Sequence, residues 1–195
     1  MGQIRDIVVI GASAGGVEAL CALVARLPAD IPAALFIVLH VSPTAVSILP
    51  EILSRKGPLP AEHPANGTPI THGHIYIAPP DRHLMVGIDK VVVRSGPKLN
   101  GYRPSINMLF CSAAEVHCSR TVGVVLSGAL DDGASGILTI HEYGGYAIVQ
   151  DPAEARYTSM PLNAISRDHV DEILPVEGIA ARLVELATIC QTPKV

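Results

Sequence analysis

One glycine-rich turn carries the residue best suited to chemistry in this 195-residue sequence. A run of β-branched residues, 7–10, leads into the turn Gly11–Gly16 (GASAGG), and a helical apolar pattern follows. The spacing Gly11-x-Ser13-x-Gly15 is typical of a nucleophile elbow, in which a sharp strand-to-helix turn exposes a serine hydroxyl above the sheet. The following helix directs backbone N–H groups at the turn, which suits an oxyanion. Ser13 is therefore a candidate nucleophile.

Three other kinds of site use a glycine-rich turn between a strand and a helix. A dinucleotide-binding fingerprint requires glycine where Ser13 stands, and an acid at the end of the second strand, where His40 stands. A phosphate-binding P-loop requires lysine where Val17 stands. A serine in such a turn can also serve only to cap the helix. The first two interpretations each lack a required residue, and the third stays open.

A nucleophilic serine requires a base, and the base requires an acid that orients it. His40 directly follows the second apolar run, and Asp131 and Asp132 follow the third. In an open parallel sheet, the residues just past the strand ends meet at one crevice. The sequence therefore predicts the Ser13 hydroxyl and the His40 ring within hydrogen-bond reach. Neighbouring residues point in different directions, so only one of the two aspartates can orient the histidine.

Several ordered motifs along nearly the whole chain resemble the catalytic domain of the CheB-type chemotaxis protein-glutamate methylesterases. They are IVVIGASAGGVEAL, the segment around His40, HIYIAPPDRHLMV, RPSINMLFCSAAE, VVLSGALDDGASG and AIVQDPAEARYTSMPLNAI. The resemblance implies that Ser13 is the nucleophile, His40 the general base and Asp132 the orienting acid. It also implies hydrolysis of glutamate γ-methyl esters, and deamidation of certain glutamines, on the cytoplasmic helices of chemoreceptors for chemotaxis adaptation, without a metal or organic cofactor.

The oxyanion donors that we predict are the backbone N–H groups of Ala14 and Ala129. Three residues depart from the family's usual pattern: Ala14 stands where threonine is common, Leu130 where a glycine permits an unusual backbone angle, and Asn107 where an acid is usual. None of these departures removes the Ser-His-Asp set. A non-catalytic signalling or binding module with the same fold is the alternative function, and a nucleotide-binding domain is a third interpretation.

Composition and periodicity indicate which elements must position these residues. Hydrophobic residues make up 49% of the chain and the net charge is only -4, which excludes disorder and gives no basic face for nucleic acid. Short apolar runs alternate with amphipathic stretches, which predicts a three-layer α/β fold whose mostly parallel sheet is flanked by helices. The runs 75–78, 84–86 and 91–93 are predicted to form a small antiparallel extension.

The predicted organisation is one catalytic domain over residues 1–195. The chain runs directly into its first strand, so we expect it to stand alone, without the receiver domain of the family's best-known members. A separate receiver or signalling protein could then regulate it. No apolar stretch approaches the roughly 20 residues of a membrane span, no signal-peptide pattern precedes the first strand, and the cysteines form no C-x-x-C pair, so we expect a cytoplasmic protein.

Five further polar residues have competing interpretations. His83 either is structural or lines the cleft, and Arg103 either is solvated or contacts an acidic substrate helix. Ser105 is interpreted as the N-cap of a helix. His72 and His74 have metal-like spacing, but no further ligands follow at zinc spacing, so they are interpreted as loop histidines.

Overall fold

The computed structural model describes residues 4–42, 44, 46–167 and 169–188. The strands and helices in these ranges follow the order β1 (Ile7–Ala12), α1 (Gly16–Val24), β2 (Ala34–Leu39), α2 (Leu49–Lys56), β3 (Ala61–Glu62), β4 (His74–Ile77), β5 (His83–Val86), β6 (Val91–Arg94), α3 (Ile106–His117), β7 (Thr121–Val125), α4 (Ala134–Glu142), β8 (Tyr146–Gln150), α5 (Ser159–Ile165), β9 (Glu172–Leu174) and α6 (Val176–Thr188). None of the helices in these ranges is long and apolar enough to cross a membrane.

A seven-stranded parallel sheet forms the centre of the fold, with strand order β3-β4-β2-β1-β7-β8-β9. Every residue of β1 and β2 is buried, because helices cover both faces of the sheet. One face packs against α1, α2 and α6, through residues such as Leu20, Leu53 and Leu183. The other face packs against α3, α4 and α5, through residues such as Phe110 and Ile137. The predicted three-layer α/β fold is confirmed.

The antiparallel extension is smaller than the sequence predicts. Among the strands in the described ranges, β5 and β6 alone pair antiparallel, as a separate two-stranded sheet. The run 75–78 was expected there and was assigned wrongly, because β4 lies in the main sheet, parallel to β2, with Ile75 beside Leu35. The side chains of Ile75, Tyr76 and Ile77 are all buried, which is the pattern of an interior parallel strand and not of an exposed hairpin.

The carboxyl ends of β2, β1 and β7 lie side by side and carry the candidate residues. Backbone pairing continues one step past these strands, since the N–H of His40 donates to the Ala12 carbonyl over 3.1 Å. The N–H of Ser13 likewise donates to the Ser127 carbonyl over 3.0 Å. The chain segments after three neighbouring strands are therefore held together by the sheet itself.

Candidate active site

The turn that presents Ser13 depends on two glycines that no other residue could replace without a shift. Gly15 caps the start of α1 with φ 72°, and a Cβ there would lie 2.8 Å from Ser127 Oγ. A Cβ on Gly11 would overlap the Ile106 side chain at the start of α3. The glycines therefore allow both the sharp turn and the close approach of α3 to β1.

Ser127 fastens this turn to the loop that follows β7. Its Oγ donates to the Ala14 carbonyl over 2.9 Å and accepts from the Tyr157 N–H over 3.0 Å. Its own N–H donates to Gln150 Oε1 over 2.8 Å. The serine is almost fully buried, so these hydrogen bonds are shielded from water and hold the turn rigidly.

His40 is fixed at two places on its ring. Nε2 lies 2.9 Å from Asp132 Oδ2, and the ring stacks on Tyr102 with centroids 4.4 Å apart and planes 5° apart. Since a carboxylate can only accept, Nε2 donates and Nδ1 carries the lone pair. Among the residues that the structure describes, Nδ1 has no hydrogen-bond partner. The ring is therefore oriented with one basic nitrogen unoccupied.

The Asp132 carboxylate lies against the N-terminus of α3. Its Oδ1 accepts from Ser105 Oγ over 3.1 Å and from the Asn107 N–H over 3.0 Å, and its Oδ2 accepts from the Ile106 N–H over 2.7 Å. A helix N-terminus favours an anion through its free N–H groups and its dipole. Burial alone would raise the pKa of Asp132, but the hydrogen bonds from His40, Asn107 and Ile106 outweigh it and hold that pKa below its ordinary value.

The two adjacent aspartates have different surroundings. Asp132 is 2% exposed and contacts His40, whereas the neighbouring Asp131 is exposed to solvent. This is the divergence expected of successive residues that leave a strand. The structure thus brings Asp132, and not Asp131, to the histidine. The catalytic role assigned to Asp132 stays a prediction.

Ser13 is half-buried at the end of β1, but the predicted hydrogen bond to His40 is absent. Within the described ranges, Ser13 Oγ makes no hydrogen bond to His40 or to any other side chain. The ring of His40 is held by other contacts, whereas a serine hydroxyl turns about a single bond. Catalytic hydrogen bonds are often long in a free enzyme and tighten only around the substrate.

The backbone N–H groups of Ala14 and Ala129 have no acceptor in the described part of the chain, and neither does that of Gly15. The neighbouring donors in the second loop are occupied, since the Gly128 N–H donates to the Tyr157 carbonyl over 3.0 Å and the Leu130 N–H to Ser159 Oγ over 3.2 Å. The two N–H groups predicted for the oxyanion are therefore available. Their function stays a prediction.

The two other departures from the family pattern have structural consequences. Asn107 Oδ1 accepts from the N–H of Gly133 over 3.0 Å and of Gly136 over 2.7 Å, so it caps the start of α4 from α3. A carboxylate or an amide oxygen can accept these bonds equally well, which explains how asparagine fits there. Leu130 has φ 68° and lies exposed in the loop before Asp132.

Two residues near the site, Tyr102 and Ser105, have roles that sequence reasoning missed or left open. Tyr102, which covers the His40 ring, gave no signal, because stacking across 62 positions leaves no local pattern. Burial, and then the charges of Asp132 and Asp131, raise the pKa of Tyr102, so its phenol stays neutral. Ser105 was predicted only as a cap, and it caps α3 by accepting from the Met108 N–H over 3.4 Å while it also donates to Asp132.

His83 and Arg103 both make hydrogen bonds within the described chain, and their part in substrate binding stays a prediction. His83 is buried; its Nδ1 accepts from the Ser105 N–H over 3.3 Å, and its Nε2 donates to the Pro97 carbonyl over 3.0 Å. Arg103 donates to Asp81 Oδ1 from Nε over 2.8 Å and from Nη2 over 2.7 Å, beside a cavity of about 150 Å³ next to His40. Both residues thus support the segment that carries Tyr102 and Ser105.

A second aspartate–histidine pair lies at the opposite side of the sheet, where the strands begin. Asp6, just before β1, accepts from Arg120 Nε over 2.8 Å and Nη2 over 2.7 Å, and from His72 Nε2 over 3.0 Å. Burial acts to raise the pKa of Asp6, but Arg120 and His72 outweigh it and lower the pKa. Within the described ranges, no three side chains of the metal-ligating types are grouped together, so His72 belongs to no such group.

Comparison with known proteins gives a consistent family match. The family model described as CheB methylesterase matches residues 8–183. A crystal structure of the CheB methylesterase catalytic domain of Thermotoga maritima superposes with a TM-score of 0.88, at 32% identity, over 95% of this chain and 99% of that one.

Curated relatives of two lengths align with the chain. A protein-glutamate methylesterase/protein-glutamine glutaminase of Rhizobium johnstonii is 36% identical over 89% of this chain and 48% of its own length. A putative protein of the same name from Leptospira interrogans is 37% identical over 93% of this chain and 94% of its own length. The chain thus spans about half of the first relative, as it does of a Methanosarcina mazei protein of that name, where it covers 52%.

Proposed function

The chain belongs to the CheB methylesterase family, and we propose that it hydrolyses glutamate γ-methyl esters on the cytoplasmic helices of chemoreceptors, as a step of chemotaxis adaptation. One observation supports this proposal above the others. The His40–Asp132 pair, joined over 2.9 Å, stands at the strand end beside the turn that presents Ser13. A nucleophile, an oriented base and a buried acid are thereby gathered at one edge of the sheet.

The reaction begins with attack of Ser13 Oγ on the ester carbonyl carbon. His40 Nδ1 takes the hydroxyl proton as the new C–O bond forms, and Asp132 stabilises the resulting imidazolium through Nε2. The tetrahedral oxyanion accepts hydrogen bonds from the N–H groups of Ala14 and Ala129. When this intermediate collapses, the C–O bond to the methoxy group breaks, His40 returns the proton to that oxygen, and methanol leaves.

The glutamyl ester of Ser13 that remains is then hydrolysed. His40 takes a proton from water as the water oxygen attacks the acyl carbon, and returns it to Ser13 Oγ when the ester bond breaks. The products are a free glutamate side chain and the regenerated serine. The lowered pKa of Asp132 supports this scheme, because the carboxylate stays ionised throughout and keeps the His40 proton on Nε2.

The same site can act on glutamine. Attack of Ser13 on a side-chain amide leads to the same acyl-enzyme, with ammonia leaving in place of methanol and taking its proton from His40. The names of the Rhizobium and Leptospira relatives include protein-glutamine glutaminase, which supports this second reaction.

Methanol release from methylated receptor fragments tests the proposal. We expect Ser13→Ala to lose most of the rate that the three residues provide, and Ser13→Ala/His40→Ala to be hardly slower than Ser13→Ala alone. The reason is that residues acting as one unit have non-additive effects. Equal slow rates for the wild type, Ser13→Ala, His40→Ala and the double variant would contradict the proposed enzymatic activity and favour a non-catalytic module.

A further inference from the structure

Leu130 adopts a backbone conformation that its residue type disfavours. Its φ is 68°, in the left-handed region, and its side chain is 60% exposed. The Cβ atom makes this region unfavourable, and asparagine or aspartate offsets the cost with a polar side chain that leucine lacks. Because the side chain is mostly in water, packing in the core does not compensate either.

Helix α5 holds Leu130 in this conformation from both sides of the residue. Ser159 Oγ accepts from the Leu130 N–H over 3.2 Å, and Asn163 Nδ2 donates to the Leu130 carbonyl over 2.8 Å. Turning the leucine inward would therefore break these two hydrogen bonds. Strained positions held in this way cluster at functional sites.

Two further exposed apolar side chains, Tyr157 and Leu162, lie in or beside α5, the helix that contacts Leu130, and this region adjoins the candidate active site. Leu130 lies two residues before Asp132, and α5 carries a second exposed leucine, Leu162. Tyr157 is also exposed, and a Cβ on Gly15 would lie 3.1 Å from its ring, so this tyrosine borders the serine turn. We call Leu130, Tyr157 and Leu162 the apolar rim.

We propose that Leu130 determines substrate specificity, by contacting apolar side chains of the receptor helix that carries the methyl ester. This inference rests on the proposed function. An ester on a helix side chain reaches Ser13 only if that helix lies across the crevice and its rim. Residues three and four positions from the ester then share its face of the helix and meet the rim.

The variant Leu130→Asn separates the apolar contact from the backbone conformation. Asparagine tolerates the left-handed region, so the loop keeps its shape while the apolar group is lost. We expect KM for a methylated receptor-helix fragment to rise about tenfold, the effect of losing one partly buried leucine contact. We expect kcat for the fragment to change less than twofold. Leu130→Met, which keeps an apolar side chain, should stay near the wild-type KM.

Two controls are needed: a small activated ester as substrate, and the same substitution at a remote exposed aliphatic residue. p-Nitrophenyl acetate carries no receptor helix that could contact Leu130, so its hydrolysis should change less than twofold in Leu130→Asn. Ile88→Asn is the matched control, because Ile88 is 84% exposed beside Gly87, which contacts His117 at the far end of α3. It should leave KM for the fragment unchanged.

Three results would overturn the inference. They are an unchanged KM in Leu130→Asn, an equal loss of p-nitrophenyl acetate hydrolysis, or an equal rise of KM in Ile88→Asn. A wild-type protein that hydrolyses p-nitrophenyl acetate but releases no methanol from the fragment would instead overturn the proposed function.

Discussion

Two buried aspartates, each bonded to a histidine, lie at opposite ends of the central strands of the main sheet. Asp6, before β1, is joined to His72 over 3.0 Å, and Asp132, beyond β7, is joined to His40 over 2.9 Å. The pKa of each carboxyl lies below its ordinary value, although burial acts against this in both. The two carboxylates are therefore alike in burial, in their distance to a histidine and in the direction of their pKa shift.

They differ in what else balances the carboxylate. Arg120 binds both oxygens of Asp6, and its guanidinium stays charged at every ordinary pH. Asp132 is surrounded by uncharged donors, namely the Ser105 hydroxyl and two backbone N–H groups. Among the described partners of Asp132, only His40 can gain and lose a proton. Dipoles therefore stabilise the carboxylate without fixing a permanent positive charge beside it.

The histidines differ as well. The His72 side chain is 49% exposed, whereas that of His40 is 13% exposed and stacked on Tyr102. Stacking on Tyr102 and the bond to Asp132 hold the His40 ring in one orientation, as a general base requires, whereas about half of the His72 side chain is exposed to water. The comparison teaches that an aspartate–histidine pair alone does not mark an active site. In this protein, the two pairs are distinguished by the groups that stabilise the carboxylate and by the immobilised His40 ring.

The largest expected effect separates the two aspartates by activity. Asp132→Asn should lower kcat for methyl-ester hydrolysis on the order of 10⁴-fold, because the amide cannot hold the correct tautomer or stabilise the imidazolium. Asp6→Asn should leave kcat within about twofold, since the opposite edge touches no reacting atom. Steady-state methanol release at a temperature where both variants are folded checks this. If the Asp6 variant lost as much activity as the Asp132 variant, the comparison would fail.

A second prediction separates the pairs by stability. Arg120→Leu leaves the Asp6 charge buried with only His72 as its partner, and should lower the free energy of unfolding by about 3 kcal/mol. The kcat of the folded variant should not change. Urea unfolding and methanol release measure the two effects. Asp6→Asn/Arg120→Leu should recover part of the stability because no uncompensated charge remains, and no recovery at all would count against this explanation.

A smaller effect is expected at the donors around Asp132. Ser105→Ala removes a hydrogen bond to a charged group and should lower kcat about tenfold with little change in KM. Loss of the helix cap should also lower the free energy of unfolding by about 1 kcal/mol. Ser105→Thr keeps the hydroxyl and should restore kcat. A variant that loses stability but keeps full kcat would show that Ser105 acts only as a cap.

The smallest expected effect is on the dependence of stability on pH in the acid range. Each aspartate has a folded-state pKa below its unfolded value of about 3.9, so its stabilising contribution is complete above that pH and is lost as pH falls through the folded pKa. The slope per aspartate cannot exceed about 1.4 kcal/mol per pH unit. Asp6→Asn should therefore lose stability less steeply than the wild type in urea unfolding between about pH 5 and pH 2. Parallel curves would contradict the assignment.

The sequence predicts the local parts of the candidate site well. The serine turn follows from glycine spacing, and the meeting of His40 with an aspartate follows from the rule that parallel strand ends share one edge. The choice of Asp132 over Asp131 came from a family resemblance, because alternation alone allows either residue. The stacking of Tyr102 and the donation from Ser105 to Asp132 could not be predicted, since both join residues that are far apart in the chain.

In the fold, too, the sequence predicts local features but not long-range pairing. A buried apolar run has the same composition in the main sheet and in a hairpin, so β4 was assigned to the wrong sheet. The edge strands β3 and β9 have two and three residues, too few for any alternation to be visible in the sequence. These two short segments become strands because they pair with β4 and β8, and such pairing is a tertiary property.

The contact between Gly11 and Ile106 links the serine turn to the Asp132 carboxylate. Ile106 occupies the space where a side chain on residue 11 would lie, and the N–H of the same isoleucine donates to Asp132 over 2.7 Å. A methyl group added beneath the serine turn would push the first turn of α3 outward and lengthen that hydrogen bond. A purely steric change at Gly11 would thus act as an electrostatic change at Asp132, 121 positions later in the chain. Mutational screens should therefore find coupling between positions 11 and 132.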